Sequence, residues 1–196
     1  MAAYVTRHGG LPETLRPARD EDADILALVE GADFDLLVTI GGASVGDHDR
    51  LKPALRSMGA ELKIEGCAMR PGKPVWFAML PDGRSVLGLP GNPASALVCV
   101  ELFLGPLIAA LQGGAAETVL EPAVLAAPPE ANGPRDHYMR ATIETDASGR
   151  RCVRPFPNQD SSLVTVMASA TVLVRRPPMA AAALEGDTVE ILMPGR

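Results

Sequence analysis

The sequence of 196 residues is 47% apolar, which is enough hydrophobic material to bury the core of one large domain or two small ones. Its 18 basic and 24 acidic residues give a net charge of −6 and form no basic block that would follow a phosphate backbone, so no nucleic-acid partner is expected. The N-terminus lacks the apolar run of a signal peptide, and the longest apolar stretch, residues 94–111, is interrupted by a glutamate, a glycine and a proline. We therefore expect a cytoplasmic protein that does not enter a membrane, in which residues 94–111 form a core helix.

Helical and strand-like patterns alternate at the start of the chain. Residues 21–30 have mainly helical apolar spacing after an acidic first turn, which predicts a short helix. Residues 36–40 form a continuous β-prone apolar run that ends at Gly41 and Gly42, a pattern typical of a strand buried on both faces of a parallel sheet. This alternation predicts an α/β fold, specifically a three-layer αβα sandwich.

A second helix and further strands follow. Residues 48–58 carry apolar side chains at helical spacing, and residues 62–68 resume a strand-like pattern. Residues 75–80 and 85–89 flank Pro81-Asp82-Gly83, whose proline and glycine suit the backbone angles of a tight reversal. We predict a β-hairpin there.

The long apolar helix begins after a turn rich in proline and glycine. Asn92 is placed to cap its free N–H groups, and Pro93 occupies a first helical position where no donor is lost. Pro106 is expected to kink or end the helix locally, because its ring removes a donor and clashes with the preceding turn. Gly113 and Gly114 are expected to finish it. Its predicted apolar face consists of Val100, Leu104, Leu107 and Leu111.

The composition and the hydrophobic spacing of the sequence change after Gly114. Residues 115–134 are rich in alanine, proline and glutamate, and the remainder shows short alternating stretches without a long helical period. We therefore predict one domain over residues 1–114 and a second over residues 115–196, a small β-barrel or sandwich. Its strands are predicted at residues 138–144, 151–154, 171–175 and 188–192.

A glycine-rich loop, GGASVGDHD, follows the first predicted strand at residues 41–49. Ligands bind at this position in open α/β sheets, because glycines let the backbone approach closely and the following helix offers free N–H groups to an anion. Ser44 adds a hydroxyl, and Asp47 and Asp49 supply the hard oxygen ligands that Mg²⁺ prefers. The alternative is a simple turn whose acidic residues favour a helix N-terminus. The loop has neither a Walker pattern nor a GxGxxG pattern.

Two more segments are candidates for contact with anions. Arg70 and Lys73 surround a rigid Pro-Gly turn that fixes where they point, although a solvated basic loop would have the same composition. The loop LPGNPAS at residues 89–95 delivers a helix N-terminus suited to an anion, and it is equally a good turn and cap. The three histidines lack metal-binding or nucleophile spacing, which favours structural or surface roles.

In this order and at comparable separations, GGASVGDHD, RPGKP and LPGNPASA resemble the GGxSxGxxD, KPGxP and LPGNPxSA blocks of the MoeA family of molybdopterin molybdotransferases. The C-terminal domain of gephyrin is similar to this family. Three later segments resemble the family's last β domain, so the likeness covers nearly the whole chain. They are YMR at residues 138–140, NQDSS at residues 158–162 and LEGDTV at residues 184–189.

The resemblance implies a molybdopterin-binding α/β domain followed by a β-barrel. It also implies an activity, the Mg²⁺-dependent transfer of molybdate onto adenylylated molybdopterin with release of AMP. The family's active sites draw on both subunits of a homodimer, and other molybdenum cofactor biosynthesis proteins are expected partners. Carried over by motif, Asp49 and Lys73 would be catalytic, and Asp49 and Asp47 would hold the metal. Substrate would be bound by Gly41, Gly42, Ser44, Gly46, Arg70, Pro90, Gly91, Asn92, Pro93, Ser95, Arg140 and Ser161.

The sequence also departs from the family pattern. The strand and the acidic GDEL-like loop that open the family's pterin-binding domain are not found, Arg70 replaces the usual lysine, and Asp160 stands where glycine is common. One hypothesis is an enzyme portion that keeps much of a pterin-phosphate pocket with impaired turnover. Another is a non-catalytic molybdopterin-binding or scaffold module. A third hypothesis is a single-domain relative that binds or adenylylates the cofactor precursor, or a nucleotide hydrolase of similar fold. The β domain after Gly114 disfavours it.

Overall fold

A computed structural model describes residues 1–42 and 50–195, and these residues fold into two compact units. The first unit consists of Met1–Cys67 and Gly72–Gly114, and the second of Ala68–Pro71 and Ala115–Arg196. The short stretch Ala68–Pro71 thus groups with residues that come much later in the chain.

Helices and strands are numbered in chain order. The helical segments are α1 (Ala2–Arg7), α2 (Asp22–Gly31), α3 (Leu51–Ser57), α4 (Pro93–Cys99), a π-helical segment (Val100–Leu104), α5 (Gly105–Leu111) and α6 (Val164–Ser169). The strands are β1 (Leu36–Ile40), β2 (Glu61–Ile64), β3 (Met69–Arg70), β4 (Trp76–Met79), β5 (Ser85–Leu89), β6 (Glu121–Leu125), β7 (Asp136–Thr145), β8 (Arg151–Pro155), β9 (Val172–Arg176) and β10 (Thr188–Leu192). The first predicted helix, the hairpin strands and the later predicted strands are confirmed, with bounds that differ slightly from those expected.

The sheet of the first unit is mixed, in the order β1-β5-β4-β2. β1 runs parallel to β5, with Leu36 beside Ser85 and Ile40 beside Leu89, whereas β4 is antiparallel to both β5 and β2. The turn at Pro81-Asp82-Gly83 explains the mixture, because a short reversal joins only antiparallel strands. The predicted hairpin is therefore confirmed as the antiparallel pair β4-β5, β1 has the parallel neighbour expected of residues 36–40, and the α/β class is confirmed.

β1 is less buried than its sequence predicts. Its residues are half-buried or exposed, and Ile40 is 59% exposed. Within the described residues β1 pairs only with β5, so it forms an edge of the sheet. The strand that is buried along its whole length is β5. The prediction of a doubly buried strand at residues 36–40 is wrong because an apolar run does not determine a strand's position in the sheet.

Trp76 anchors the core of the first unit. Its side chain is fully buried in a cluster with Ile25 of α2, Leu55 of α3 and Val86 of β5. Gly88 provides the space for it, since Gly88 pairs with Trp76 across the hairpin and a Cβ there would overlap the indole ring. This packing fixes α2, α3 and the hairpin against one another.

The long helix does not end at Pro106. It runs over Pro93–Leu111 through the π-helical segment, where the Gly105 N–H bonds to the Val100 carbonyl five residues back. Pro106 is the second residue of α5 and directly follows the widened turn. A widened turn, rather than a helix end, accommodates the proline.

The π-helical segment also shifts the buried side of the helix. Val100, Leu104 and Ile108 are buried, whereas Leu107 is half-buried and Leu111 is 49% exposed. The predicted apolar face is therefore wrong at its last two positions, because it assumed regular α-helical spacing throughout. By length and composition this helix would also pass as a membrane span, a test that core helices of soluble proteins meet as well, and 56% of the stretch is buried within the fold.

β2 is shorter than the strand expected at residues 62–68. It ends at Ile64, and Met69 and Arg70 form β3 in the sheet of the second unit. Gly66 interrupts the strand, since its backbone takes a φ of +144°, a conformation that residues with side chains rarely adopt.

The second unit is a closed five-stranded barrel with one added strand, which confirms the predicted β domain. Neighbouring strands follow the order β7-β8-β6-β10-β9, and a pairing of β9 with β7 closes the ring, while β3 pairs in parallel with the start of β7. Neither β6 nor α6 was predicted, and β6 contains Pro122, which weakens a strand pattern. The fully buried apolar residues of the barrel include Ala141, Val153, Val172, Val174 and Ile191.

Candidate functional site

The two glycine-bearing loops of the first unit meet at one edge of its sheet. β1 and β5 are parallel neighbours, and the Gly41 N–H continues their pairing by donating to the Leu89 carbonyl at 3.2 Å. A Cβ on Gly91 would lie 3.5 Å from the Gly41 Cα. The structure therefore brings Gly41 next to Gly91, at the carboxyl ends of the strands β1 and β5, where α/β sheets bind ligands.

The loop after β5 ends in a capped helix, as predicted. The Asn92 side chain accepts a hydrogen bond from the Ser95 N–H at 3.4 Å, and Pro93 is the first residue of α4. Pro90 and Ser95 are buried, whereas Gly91 and Pro93 are exposed. The buried residues fix the loop, and the exposed ones present its backbone to solvent.

The turn that carries Lys73 packs against α4. The Cys99 thiol donates to the Gly72 carbonyl at 3.9 Å, and the Cys67 N–H donates to the Lys73 carbonyl at 3.0 Å. Burial raises the pKa of Cys99 to about 12, so this group stays a thiol at neutral pH. The Lys73 side chain is exposed, so a fixed backbone carries an accessible ammonium group.

Several predicted site residues lie outside the described part of the chain, namely Ser44, Gly46, Asp47 and Asp49. Within residues 1–42 and 50–195, no three His, Cys, Asp or Glu side chains lie close enough to hold a metal ion. The assignment of Asp47 and Asp49 to Mg²⁺ stays a prediction.

In the second unit, Arg140 of β7 is fully buried and is held by the segment after β8. Gln159 Oε1 accepts hydrogen bonds from the Arg140 backbone N–H at 2.9 Å and from Nε at 3.3 Å, and the Gln159 amide returns one to the Arg140 carbonyl at 2.9 Å. The guanidinium Nη1 donates to the Asp160 carbonyl at 3.0 Å. These bonds fix both the backbone and the side chain of Arg140.

One nitrogen of this guanidinium has no partner. Nη2 of Arg140 is buried and makes no hydrogen bond to any described residue. An unpaired buried donor costs about 1–3 kcal/mol, and more when it belongs to a charged group. An unpaired buried group in a native protein calls for an explanation. One explanation is a bound ligand that supplies the missing acceptor. Arg140 is thus a candidate anion-binding residue.

Arg70 and the segment 158–162 contribute further charge around Arg140. Burial lowers the pKa of Arg140, the Asp160 carboxylate raises it, and the exposed Arg70 of β3 lowers it again. Hydrogen bonds with Ser162 lower the pKa of Asp160, with smaller contributions from Arg140 and Arg70. Ser161 follows Asp160 and is half-buried. The structure thus gathers the predicted residues Arg70, Arg140 and Ser161 in the second unit.

His137 belongs to the same cationic group, which the spacing of the histidines did not reveal. It is 8% exposed and pairs in register with Arg70 of β3. Burial, followed by the charges of Arg70, Arg140 and Arg135, lowers its pKa to about 4, so the imidazole is neutral at physiological pH. The sequence does not indicate this position, because the pairing of β7 with β3 is visible only in three dimensions. Gln159, which orients Arg140, was missed for the same reason.

Two family profiles match the chain in the order of its two units. Residues 1–110 match a family described as "Probable molybdopterin binding domain". Residues 122–193 match the MoeA C-terminal region, domain IV.

Individual relatives point the same way. The chain is 31% identical over 194 residues to a molybdopterin molybdenumtransferase of Bacillus subtilis, an alignment that covers 97% of this chain and 45% of the relative. It is 37% identical over 117 residues to a molybdopterin molybdenumtransferase of a Nostoc species, covering 58% of this chain and 27% of the relative. The solved structure of a molybdopterin biosynthesis MoeA protein from Pyrococcus horikosii superposes with a TM-score of 0.78 at 27% identity, covering 98% of this chain and 46% of that one. The chain therefore spans half the length of these relatives or less.

Proposed function

Because the chain belongs to the MoeA family of molybdopterin molybdenumtransferases and matches their C-terminal portion, we propose that it serves molybdenum cofactor biosynthesis by binding molybdate for transfer to molybdopterin. The observation that carries the proposal is the unpaired, buried Nη2 of Arg140, a cationic donor with a second guanidinium nearby. Molybdate is a tetrahedral dianion, and guanidinium groups bind such oxyanions through charge-assisted hydrogen bonds.

Each residue of this group has a distinct part in the proposed site. Arg140 donates from Nη2 to one molybdate oxygen, and Gln159 keeps the guanidinium in the orientation that this requires. Arg70 is exposed and attracts the dianion electrostatically before binding. Ser161 adds a hydroxyl donor to another oxygen. Together these groups neutralise molybdate so that it can approach an anionic partner.

The first unit is proposed to bind the pterin nucleotide, in the form of adenylylated molybdopterin. Gly41, Gly42 and Gly91 let its phosphate approach the backbone closely at the ends of β1 and β5, and Lys73 supplies a positive charge. Asn92 fixes the start of α4 beside them, with Pro90, Pro93 and Ser95 shaping the loop.

Mg²⁺ held by Asp47 and Asp49 would neutralise the phosphate oxygens and assist the departure of AMP. These two residues lie outside the described part of the chain, and their role rests on the family resemblance alone.

Turnover by this chain is proposed to be slow, because Asp160 puts a carboxylate next to the cations that must receive molybdate. Its charge raises the pKa of Arg140, which means that the carboxylate already stabilises the guanidinium. A dianion must bind against this repulsion. We therefore expect Asp160→Gly to bind molybdate a few-fold more tightly than the parent.

Molybdate binding to Arg140 is tested by isothermal titration of the chain with sodium molybdate at neutral pH. Arg140→Gln should weaken binding by about 10- to 100-fold, the range expected for loss of a charge-assisted hydrogen bond. Arg154→Gln is the matched control, since Arg154 is an exposed arginine of the barrel. Because Arg140→Gln can also disturb the fold, Arg70→Gln at an exposed position serves as a second variant, expected to weaken binding several-fold. Equal affinity of all four proteins would overturn the proposal.

An enzymatic role is distinguished from a scaffold role by complementation. The chain is expressed in cells that lack their own molybdopterin molybdenumtransferase, and the activity of a molybdoenzyme is measured. Partial rescue that Arg140→Gln abolishes supports transfer by this chain. A failure to rescue, combined with tight molybdate binding, supports a non-catalytic binding module.

Two further properties of the family are carried over as proposals, a homodimer and a cytoplasmic location. Light scattering of the purified chain tests the first, with a mass of one chain, 20.5 kDa, as the contradicting result. Cell fractionation tests the second.

A further inference from the structure

Asn132 precedes Gly133 in the segment that leads into β7, and this order of residues is chemically labile. A backbone nitrogen can attack the side-chain amide of the asparagine before it, and glycine hinders the resulting ring least because it has no side chain. The other two asparagines are poorly placed for this reaction, because Asn92 precedes a proline, whose nitrogen carries no proton, and Asn158 precedes a glutamine. Asn132 is therefore the asparagine of this chain that is most prone to deamidation.

In the fold, the side-chain amide of Asn132 is tied to the end of β9. Its Nδ2 donates to three backbone carbonyls at 2.8 Å each, those of Arg135, Arg176 and Pro177. Carbonyl oxygens only accept hydrogen bonds, so the group that faces them must be the NH₂ of the amide and not its oxygen. The amide thus connects the residues before β7 with those at the end of β9.

Two backbone hydrogen bonds connect the same segments. The Asn132 N–H donates to the Ala180 carbonyl at 2.8 Å, and the Met179 N–H donates to the Gly133 carbonyl at 2.8 Å. We call these two bonds and the three bonds of the side chain the Asn132 clasp. The clasp lies next to the pairing of β7 with β9, which closes the barrel, and it therefore stabilises that closure.

The clasp opposes the reaction that the sequence favours. For the ring to form, the Gly133 nitrogen must approach Cγ of Asn132, which requires the amide and the adjoining backbone to rotate. The clasp holds both, so several hydrogen bonds must break first. Gly133 itself is exposed, and a Cβ there would meet nothing within 4 Å. Opening of the clasp should therefore limit the rate of the reaction in the folded chain.

We propose that Asn132 is an intrinsic deamidation site of this chain, which the folded barrel protects and whose modification weakens the closure of the barrel. In the reaction, the Gly133 nitrogen forms a bond to Cγ of Asn132, and the bond from Cγ to Nδ2 breaks. The proton of the Gly133 nitrogen leaves with Nδ2 as ammonia. Water then opens the cyclic imide to aspartate or isoaspartate, and no oxidant or reductant is needed.

The products cannot form the clasp again. A carboxylate at this position only accepts hydrogen bonds, so its oxygens would face the three carbonyls to which Nδ2 donates. Isoaspartate also lengthens the backbone by one methylene group and displaces the two backbone hydrogen bonds. Both products lose stabilising bonds, so the pairing of β7 with β9 should open more often after the reaction.

Peptide mapping by mass spectrometry tests the site and its protection. The whole chain is incubated at mildly alkaline pH, once folded and once in guanidinium chloride, and a gain of one mass unit is followed in each peptide that contains asparagine. The gain should appear first at Asn132, and at least about tenfold more slowly in the folded chain, because only the open form reacts. Equal rates in the two conditions, or an earlier gain at Asn158, would overturn the proposal.

Gly133→Ala tests the chemical step. A methyl group fits at this position, since it meets nothing within 4 Å and the backbone does not adopt a left-handed φ. Ring closure should become several-fold slower in guanidinium chloride, because the side chain hinders attack by the nitrogen. An unchanged rate would show that water attacks the amide directly, which contradicts the proposed reaction.

Asn132→Asp tests the effect on the barrel, because it reproduces one product. It should lower the urea midpoint, whereas Asn158→Asp is the matched control and should change it little. The Asn158 oxygen accepts a hydrogen bond from the Asp160 N–H at 2.9 Å, and a carboxylate can still do so. If Asn132→Asp does not fold, the deamidated parent is separated by ion exchange and its midpoint is measured instead. A midpoint equal to that of the unmodified parent would contradict the stabilising role of the clasp.

Discussion

The two units position their candidate functional groups in opposite ways. In the first unit, backbone groups form the candidate site, because the parallel strands β1 and β5 end side by side and each is followed by a glycine-bearing loop. In the second, side chains from β3, β7 and the segment after β8 converge on Arg140, although these segments lie far apart in sequence. The difference teaches that a backbone-built site is encoded in contiguous motifs, whereas a side-chain-built site depends on strand pairing.

The largest effect is expected in the hydrophobic core of the first unit, which supports the backbone-built site. Gly88→Ala should lower the free energy of unfolding by about 3 kcal/mol or more, because the new methyl group overlaps the buried indole of Trp76. Urea unfolding followed by tryptophan fluorescence measures it, since the chain has one tryptophan. Gly31→Ala is the control, as a Cβ there meets nothing within 4 Å and should cost little or stabilise. A small loss for Gly88→Ala would show that the sheet can move aside.

In the second unit, the matching test creates a cavity in the barrel core and measures the loss in free energy of unfolding. Leu125→Ala should cost about 3 kcal/mol, because Leu125 is 1% exposed and packs in the barrel core. The readout is the urea midpoint by circular dichroism. Leu184→Ala, at an exposed leucine, should cost less than about 0.5 kcal/mol. Equal costs at the two positions would contradict the barrel packing.

Gln159→Ala sharpens the comparison at the side-chain-built site itself. It should reduce stability by about 2 kcal/mol, because the Arg140 Nε and backbone N–H lose their acceptor in a buried place. It should also weaken molybdate binding, since Arg140 is no longer held in one orientation. Thermal melts and titration calorimetry are measured together. A variant that loses stability but binds molybdate as the parent does would remove the orienting role.

The buried His137 gives the barrel a stability that depends on pH. His137 has a folded pKa of about 4, below its unfolded value near 6.5, so the unfolded chain binds more protons between these values. The free energy of unfolding is therefore highest above about pH 6.5, where His137 is neutral in both states. It decreases as the pH falls toward about 4, because the unfolded chain takes up a proton that the folded chain does not. Between these pH values the parent should lose about 1–2 kcal/mol more of its free energy of unfolding than His137→Gln does. Urea unfolding of both proteins at several pH values measures the difference. An identical pH profile in parent and variant would contradict the burial of a neutral imidazole.

The smallest effect is expected at the helix start of the backbone-built site. Asn92→Ala removes the acceptor for the Ser95 N–H and should cost about 0.5–1 kcal/mol, at the low end for a cap because the bond is 3.4 Å long. Asn92→Asp keeps an acceptor and should be close to neutral. Thermal melts distinguish the two, and a cost for Asp equal to that for Ala would show that the amide, rather than the cap, matters.

Local features of the fold were predictable because neighbouring residues determine them. The hairpin around Pro81-Asp82-Gly83 and the cap at Asn92 follow from short sequence patterns and are confirmed. The exposure of β1 was not predictable, since the same apolar run suits the centre or the edge of a sheet. The π-helical segment at Val100–Leu104 was missed because hydrophobic spacing alone does not reveal an added residue in a turn.

The candidate site divides along the same line. Gly41 and Gly91 were named from motifs, and the parallel pairing of β1 and β5 brings their loops together. Arg140 was named through family resemblance alone, and its unpaired nitrogen is visible only in the structure. His137 was assigned a structural or surface role because nothing in the sequence says that β3 pairs with β7.

The π-helical segment determines which side chains of the long helix face the core beyond it. Each residue of an α-helix advances the side chains by about 100°, so the extra residue in the widened turn rotates everything after it. Removing one residue from Val100–Leu104 would restore a regular helix and turn α5 until Ile108 faces solvent and other side chains meet the core. Among homologues, helices of this kind that differ in length by one residue should therefore exchange their buried sets beyond this point rather than merely shorten.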